Sequence, residues 1–136
     1  MKKGDCVHMP TPGNPIPHLW IIVSDVDPIT DKCVLVNVTT LCHVCDKTVI
    51  LHAGDHPSIN HDSVVRYQSA FITTVNAIQA AVRGRAAFLK TPCSQSMLKK
   101  VLEGIKNSPD TPFDIQKFCG IPVSKTVVSP PKKKTK

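Results

Sequence analysis

Six side chains, spread over two strand-like runs and one loop, have the types that proton transfer and hydrogen bonding use. His18 and Trp20 lie in the run His18-Leu19-Trp20-Ile21-Ile22-Val23-Ser24-Asp25. Asn37 and Thr39 lie in Cys33-Val34-Leu35-Val36-Asn37-Val38-Thr39-Thr40, and His56 and His61 in the loop from Gly54 to Ser63. Histidine changes protonation near neutral pH, so a group of them can take and return a proton. Asparagine and threonine add uncharged donors and acceptors. A second cluster competes. Cys42-His43-Val44-Cys45 has the two-residue gap of half a zinc knuckle. A full knuckle needs two more ligands, from Cys6, Cys33, His52 or His56, and there is no second Cys-x-x-Cys. The pair also does not open a helix after a strand, which argues against a redox role. The expectation is no metal and no cofactor.

Two strands would have to position the first group. Alternate residues of a strand point to opposite faces. Leu19, Ile21 and Val23 then share one face, and so do Val34, Val36 and Val38 of the next strand, which makes these six the expected core. His18 and Trp20, with Asn37 and Thr39, fall on the other face. If the strands pair antiparallel, all four form one patch, whereas a register slip of one residue would turn them inward. Each has a plainer reading as well. Trp20 can be a partly buried anchor, Asp55-His56-Pro57 and Asn60-His61-Asp62 are ordinary turn chemistry, and Thr39 and Thr40 can be simple edge residues.

The remaining chain reads as short strands separated by Gly and Pro turns, which suggests a small barrel or curled sheet. The expected strands are 4–9, 18–24, 32–39, 48–51, 63–67 and 70–73. Between the first two, Pro10, Pro12, Pro15 and Pro17 make a rigid loop that should stay out of a sheet interior. Leu41 to Lys47 is a loop. Then the period changes. Asn76 can cap a helix from Ala77 to about Arg83, closed by Gly84. Met97, Leu98, Val101, Leu102 and Ile105 recur at helical spacing. That helix starts at Pro92 or Ser94 to Ser96 and stops at Asn107-Ser108-Pro109. Thr111-Pro112 looks like a cap plus first-position proline for a short helix through Phe118. These apolar stripes are expected core.

The 136 residues suit one domain, expected over 1–122, and a net charge of +7 is unevenly spread. Lys125, Lys132, Lys133, Lys134 and Lys136 lie in a tail without acids, and setting those five aside reduces +7 to +2. Residues 123–136 therefore read as a basic disordered tail, either solubilising or a phosphate tether. No apolar stretch approaches the ~20 residues of a membrane helix. The start, Met1-Lys2-Lys3-Gly4-Asp5, lacks the apolar run of a secretory signal. The six cysteines are widely spaced, so the expectation is reduced thiols in the cytoplasm and no membrane partner.

Gly4-Asp5-Cys6-Val7, the proline-rich segment, the run His18 to Asp25 and the run Val34 to Thr40 together resemble the MazF/PemK-type toxin family. The likeness covers roughly residues 4 to 75. It implies a mainly β fold, a small SH3-like barrel with C-terminal helices. It also implies an endoribonuclease of a toxin–antitoxin module, with an antitoxin protein and a homodimer as partners beside RNA. Ser24 and Thr39 match well, with Thr39 at the family's catalytic threonine. His18 stands where the family carries its catalytic arginine, and Gly54-Asp55-His56-Pro57 departs from the usual pattern, as in a divergent PemK-like branch.

Cleavage of RNA by the adjacent 2′-hydroxyl needs a base, an acid for the leaving 5′-oxygen and a donor to the phosphate. His18 with His56 or His61 would be the proton-transfer pair, with Thr39 as donor. Trp20 or Tyr67 would stack a base, Asn37 and Arg66 would contact RNA, and Arg83 and Arg85 are further phosphate candidates. The rival from another class is a non-catalytic SH3-like barrel binding a partner protein or nucleic acid, which the replaced arginine favours.

Overall fold

The Val- and Ile-rich runs form the strands that β-branched side chains favour. In the computed structural model, residues 1–11 and 14–121 are described. The elements are β1 (Cys6–Thr11), β2 (Asn14–Ile22), β3 (Lys32–Thr40), β4 (Ile50–Leu51), β5 (Ser63–Thr74), α1 (Val75–Arg83), β6 (Phe88–Lys90), α2 (Gln95–Asn107) and α3 (Phe113–Phe118). The strands make one curled antiparallel sheet in the order β4-β5-β3-β2-β1-β6. The tail proposed over 123–136 lies outside the described residues. Among the described residues no helix is long and apolar enough to cross a membrane.

The sheet is covered on both sides, which corrects the expectation of one core face and one chemical face. Leu19, Ile21, Val23, Val34, Val36 and Val38 do share a face, packed with Tyr67 against Met97, Val101 and Ile105 of α2 and Ile115 of α3. The opposite face is a second core, where Val7, Trp20, Ile22, Cys33 and Leu35 pack with Val75 and Ile78 of α1. Trp20 meets Phe71 edge-on, with ring centroids 5.0 Å apart. An alternating pattern implies one wet face. These runs are closer to continuously apolar, which is the signature of strands covered on both sides.

Other boundaries differ for local reasons. The proline segment extends the β1–β2 hairpin, with Pro10 opposite Pro17. Among the described residues no other strand pairs beyond His8 on β1 or before Leu19 on β2, so on their outer sides Pro10 and Pro17 interrupt no further ladder. The expected strands 63–67 and 70–73 are one strand, with a register shift opposite Leu35–Asn37. Thr74, not Asn76, caps α1 by accepting from the Ala77 amide. Pro112 holds the N-cap position of α3, one residue later than expected, while the Thr111 hydroxyl donates to the Ile105 carbonyl. Strand β6 is exposed throughout and lacks the alternation that would have announced it.

One close approach needs a glycine. Gly104 on α2 faces β5, and a Cβ there would overlap the Tyr67 hydroxyl and the Val49 side chain. Tyr67 donates to the Val101 carbonyl at 2.7 Å, and burial, helped by the negative charge of Asp46, pushes its phenol pKa up.

Candidate functional site

The register of β1, β2, β3 and β5 decides which candidates meet. Trp20 lies opposite Asn37, and Asn37 opposite Arg66. Two residues further along the same face come His18 on β2 and Thr39 on β3, with Thr39 opposite Val64. The two rows differ in exposure. Trp20 and Asn37 are buried at 0% and 2% exposure, whereas His18 and Thr39 are half-buried.

Two cavities open at this end of the sheet. One of about 240 Å³ is lined by His8, His18, Thr39, Thr40, Ser58 and His61, among others. The other, about 420 Å³, is lined by Thr39, Thr40, Cys45, Asp46, Arg66 and Gln68, among others. Thr39 and Thr40 border both. A ridge of two hydroxyls thus separates a histidine-lined hollow from one that carries an exposed arginine.

Hydrogen bonds fix the orientation of His61. Its Nδ1 lies 2.7 Å from Asn60 Oδ1, and its Nε2 lies 2.9 Å from Thr40 Oγ1. With the Asn60 oxygen as acceptor, Nδ1 carries a proton, and Nε2 faces the Thr40 hydroxyl. His18 Nδ1 is shielded from solvent and has no protein hydrogen-bond partner. Buried polar atoms are as a rule paired, so this ring nitrogen is an exception within the fold.

Several candidates fall outside this group. His56 is 2% exposed and does not line either cavity. Its Nδ1 accepts from the Ser58 amide and its Nε2 reaches the Thr91 carbonyl, which leaves neither nitrogen for a substrate. Trp20 is sealed, with its indole N–H donating to the Met9 carbonyl, so it offers no stacking face. Tyr67 is equally buried. Asn37 is too buried to touch RNA. Arg83 lines a different hollow with Met1, Gln79, Val82 and Leu89, and Arg85 lines neither cavity.

His8 was missed. It sits opposite Leu19 on the β1–β2 hairpin, and both line the histidine hollow with His18. Partial burial, then the positive charges of Lys90 and His18, hold its pKa below the usual imidazole range. Reading the proline segment as a hairpin end would have placed it.

The cysteine pair also differs from expectation. Cys42 and Cys45 form a disulfide, with Cα atoms 5.3 Å apart, and both line the arginine-side cavity. Fully reduced thiols are therefore not what the structure holds, because the two-residue gap of an exposed turn brings the sulfurs together. Among the described residues no three His, Cys, Asp or Glu side chains form a possible metal-ligand group. The disulfide loop is anchored through Asp46, which accepts from the hydroxyls of Ser108 and Thr48. Burial raises the Asp46 pKa, but these bonds outweigh it and leave the carboxyl below its ordinary range.

No protein-family model matches the chain, and no curated protein matches it.

Proposed function

We propose that this protein is a toxin-like endoribonuclease with an SH3-like, MazF/PemK-type barrel, acting in the cytoplasm on single-stranded RNA by 2′-hydroxyl attack. The observation that carries the reading is the shared ridge: Thr39 and Thr40 border both the cavity of His8, His18 and His61 and the cavity of Arg66. Cleavage needs proton transfer on one side of a phosphate and charge stabilisation on the other. His61, with Nε2 as acceptor, takes the 2′-hydroxyl proton in place of the Thr40 contact. The 2′-oxygen attacks phosphorus, the 5′-oxygen leaves, and His18 in its charged form supplies the proton that oxygen needs. Thr39 and Arg66 donate to the non-bridging oxygens. The products are a 2′,3′-cyclic phosphate and a free 5′-hydroxyl.

The test is incubation of purified protein with single-stranded RNA, with the new ends identified chemically. His18→Ala and His61→Ala should each slow cleavage by ~10²-fold or more with the fold intact. Absence of cyclic-phosphate ends over a varied RNA panel would overturn the reading.

A second reading, a non-catalytic SH3-like barrel that binds a partner protein, is favoured by one feature. Strand β6 ends the sheet order, and its Phe88 and Leu89 are 53% and 59% exposed. An outer strand with apolar side chains is suited to adding a strand from another chain. An antitoxin or a second copy would use the same edge.

A further inference from the structure

Four cysteines are free, and two of them are neighbours. Cys6 opens β1, and Cys93 lies between β6 and α2, two residues before Gln95. Their Sγ atoms are 3.6 Å apart although 87 positions separate them in sequence. The backbones are already joined, because the Cys93 amide donates to the Gly4 carbonyl at 2.9 Å. A disulfide requires sulfurs at ~2.05 Å, so the two sulfurs must approach by about 1.5 Å from their 3.6 Å separation.

The two thiols differ in access. Cys6 is 0% exposed, so no oxidant reaches it directly, and Cys93 is half-buried and reachable. We propose that Cys93 and Cys6 form an oxidant-sensitive site, in which Cys93 reacts with a hydroperoxide and Cys6 resolves it to a disulfide tying β1 to the start of α2. The contact between the two sulfurs lowers the Cys93 pKa against the opposing effect of burial, and the same contact and burial raise that of Cys6. Access makes Cys93 the member that meets the peroxide, since Cys6 is sealed and Cys93 is not.

The steps balance. The Cys93 thiolate attacks the hydroxyl oxygen of the hydroperoxide, the O–O bond breaks, and the alkoxide leaves and takes a proton from water. Cys93 is then a sulfenic acid. The Cys6 sulfur attacks Cys93 Sγ, the S–O bond breaks, and the departing hydroxide takes the Cys6 proton and leaves as water. Two thiols lose two electrons and the peroxide gains them. A small dithiol reverses the bond by exchange. This inference is independent of the ribonuclease reading, since neither cysteine lines either cavity of the candidate site.

The test treats the native protein with one equivalent of hydrogen peroxide, alkylates the remaining thiols and digests with trypsin. Cys6 falls on peptide 4–32 and Cys93 on peptide 91–99, separate from the peptide that carries Cys33, Cys42 and Cys45. The expected result is a 4–32/91–99 cross-link with the loss of two hydrogens, with Cys33 and Cys119 still alkylated. In Cys6→Ser, dimedone should capture a sulfenic acid at Cys93. In Cys93→Ser, Cys6 should stay reduced. Oxidation of Cys33 or Cys119 ahead of Cys93, over-oxidation of Cys93 with Cys6 still alkylatable, or a link from Cys93 to any other cysteine would overturn the proposal. The wild-type cross-link decides the matter even if a serine variant fails to fold.

Discussion

Along β2 and β3, two residues separate a sealed row from an open one. Trp20 packs with α1 and Phe71 and faces Asn37 across the ladder, and both have almost no surface left to water. His18 and Thr39 continue the same face on the same strands, yet they border a cavity. The backbone is alike in both rows, and what differs is the packing: Trp20 belongs to the cluster built with Val75 and Ile78 of α1, and His18 does not. A side chain that could do chemistry is available only where the packing leaves it open. The comparison separates Trp20 and Asn37, which hold the sheet, from His18 and Thr39, which can meet a ligand.

The largest expected effect breaks the sealed row. Trp20→Ala removes a fully buried indole and its hydrogen bond to Met9. The cost should be ~3–5 kcal/mol in denaturant unfolding, as for other buried aromatics. A cost under ~1 kcal/mol would mean that the α1 face is not a true core. Next comes the open row. His18→Ala should leave stability within ~0.5 kcal/mol while slowing RNA cleavage ~10²-fold, or ~2.7 kcal/mol of barrier. Equal cleavage by a folded His18→Ala protein would remove this residue from the mechanism. The contrast sharpens if the two variants exchange phenotypes in neither direction.

A smaller effect tests the other core. Gly104→Ala drives a methyl into Tyr67 and Val49. Overpacking of this kind costs ~1–3 kcal/mol. Adding Tyr67→Phe should recover part of that cost, since it removes the oxygen nearest the new methyl. Strict additivity of the two changes would show that the close approach is not at this pair.

The sequence made the strands legible because the runs Leu19 to Val23 and Cys33 to Val38 are rich in β-branched residues, and it made α2 legible because Met97, Val101 and Ile105 recur at helical spacing. It could not separate Trp20 from His18. Both occupy the same alternating position, and exposure there depends on which of them packs with α1 and Phe71, a long-range fact. His56 misled for a related reason. Asp-His-Pro reads as an exposed turn, but the Thr91 carbonyl, 35 positions away, captures its Nε2. Arg66 was legible as a phosphate candidate but not as a neighbour of Thr39, because that adjacency requires the β3–β5 register and its shift. Strand β6 stayed hidden because three exposed residues carry no pattern.

The smallest expected effect is a pH dependence at the rim of the open row. In the folded chain the pKa of His8 lies below the ordinary imidazole value, through partial burial first and then the charges of Lys90 and His18. The unfolded chain therefore binds a proton at His8 more readily than the folded one. By linkage, the stability contributed by neutral His8 is fully present above its unfolded pKa of about 6.5 and is lost as pH falls through the lower folded value. Asp46 behaves with the same sign further down, because its depressed carboxyl pKa keeps its contribution until pH falls below the ordinary carboxylate range. Melting curves taken as pH falls from neutrality through the ordinary imidazole range therefore report on the histidine side. His8→Gln should flatten the loss of stability over that interval and leave the more acidic limb unchanged. Lys90→Gln should flatten it partly, by removing one of the charges that oppose protonation. An identical slope in His8→Gln and the parent protein would mean that His8 is too well solvated for the cavity to affect its proton.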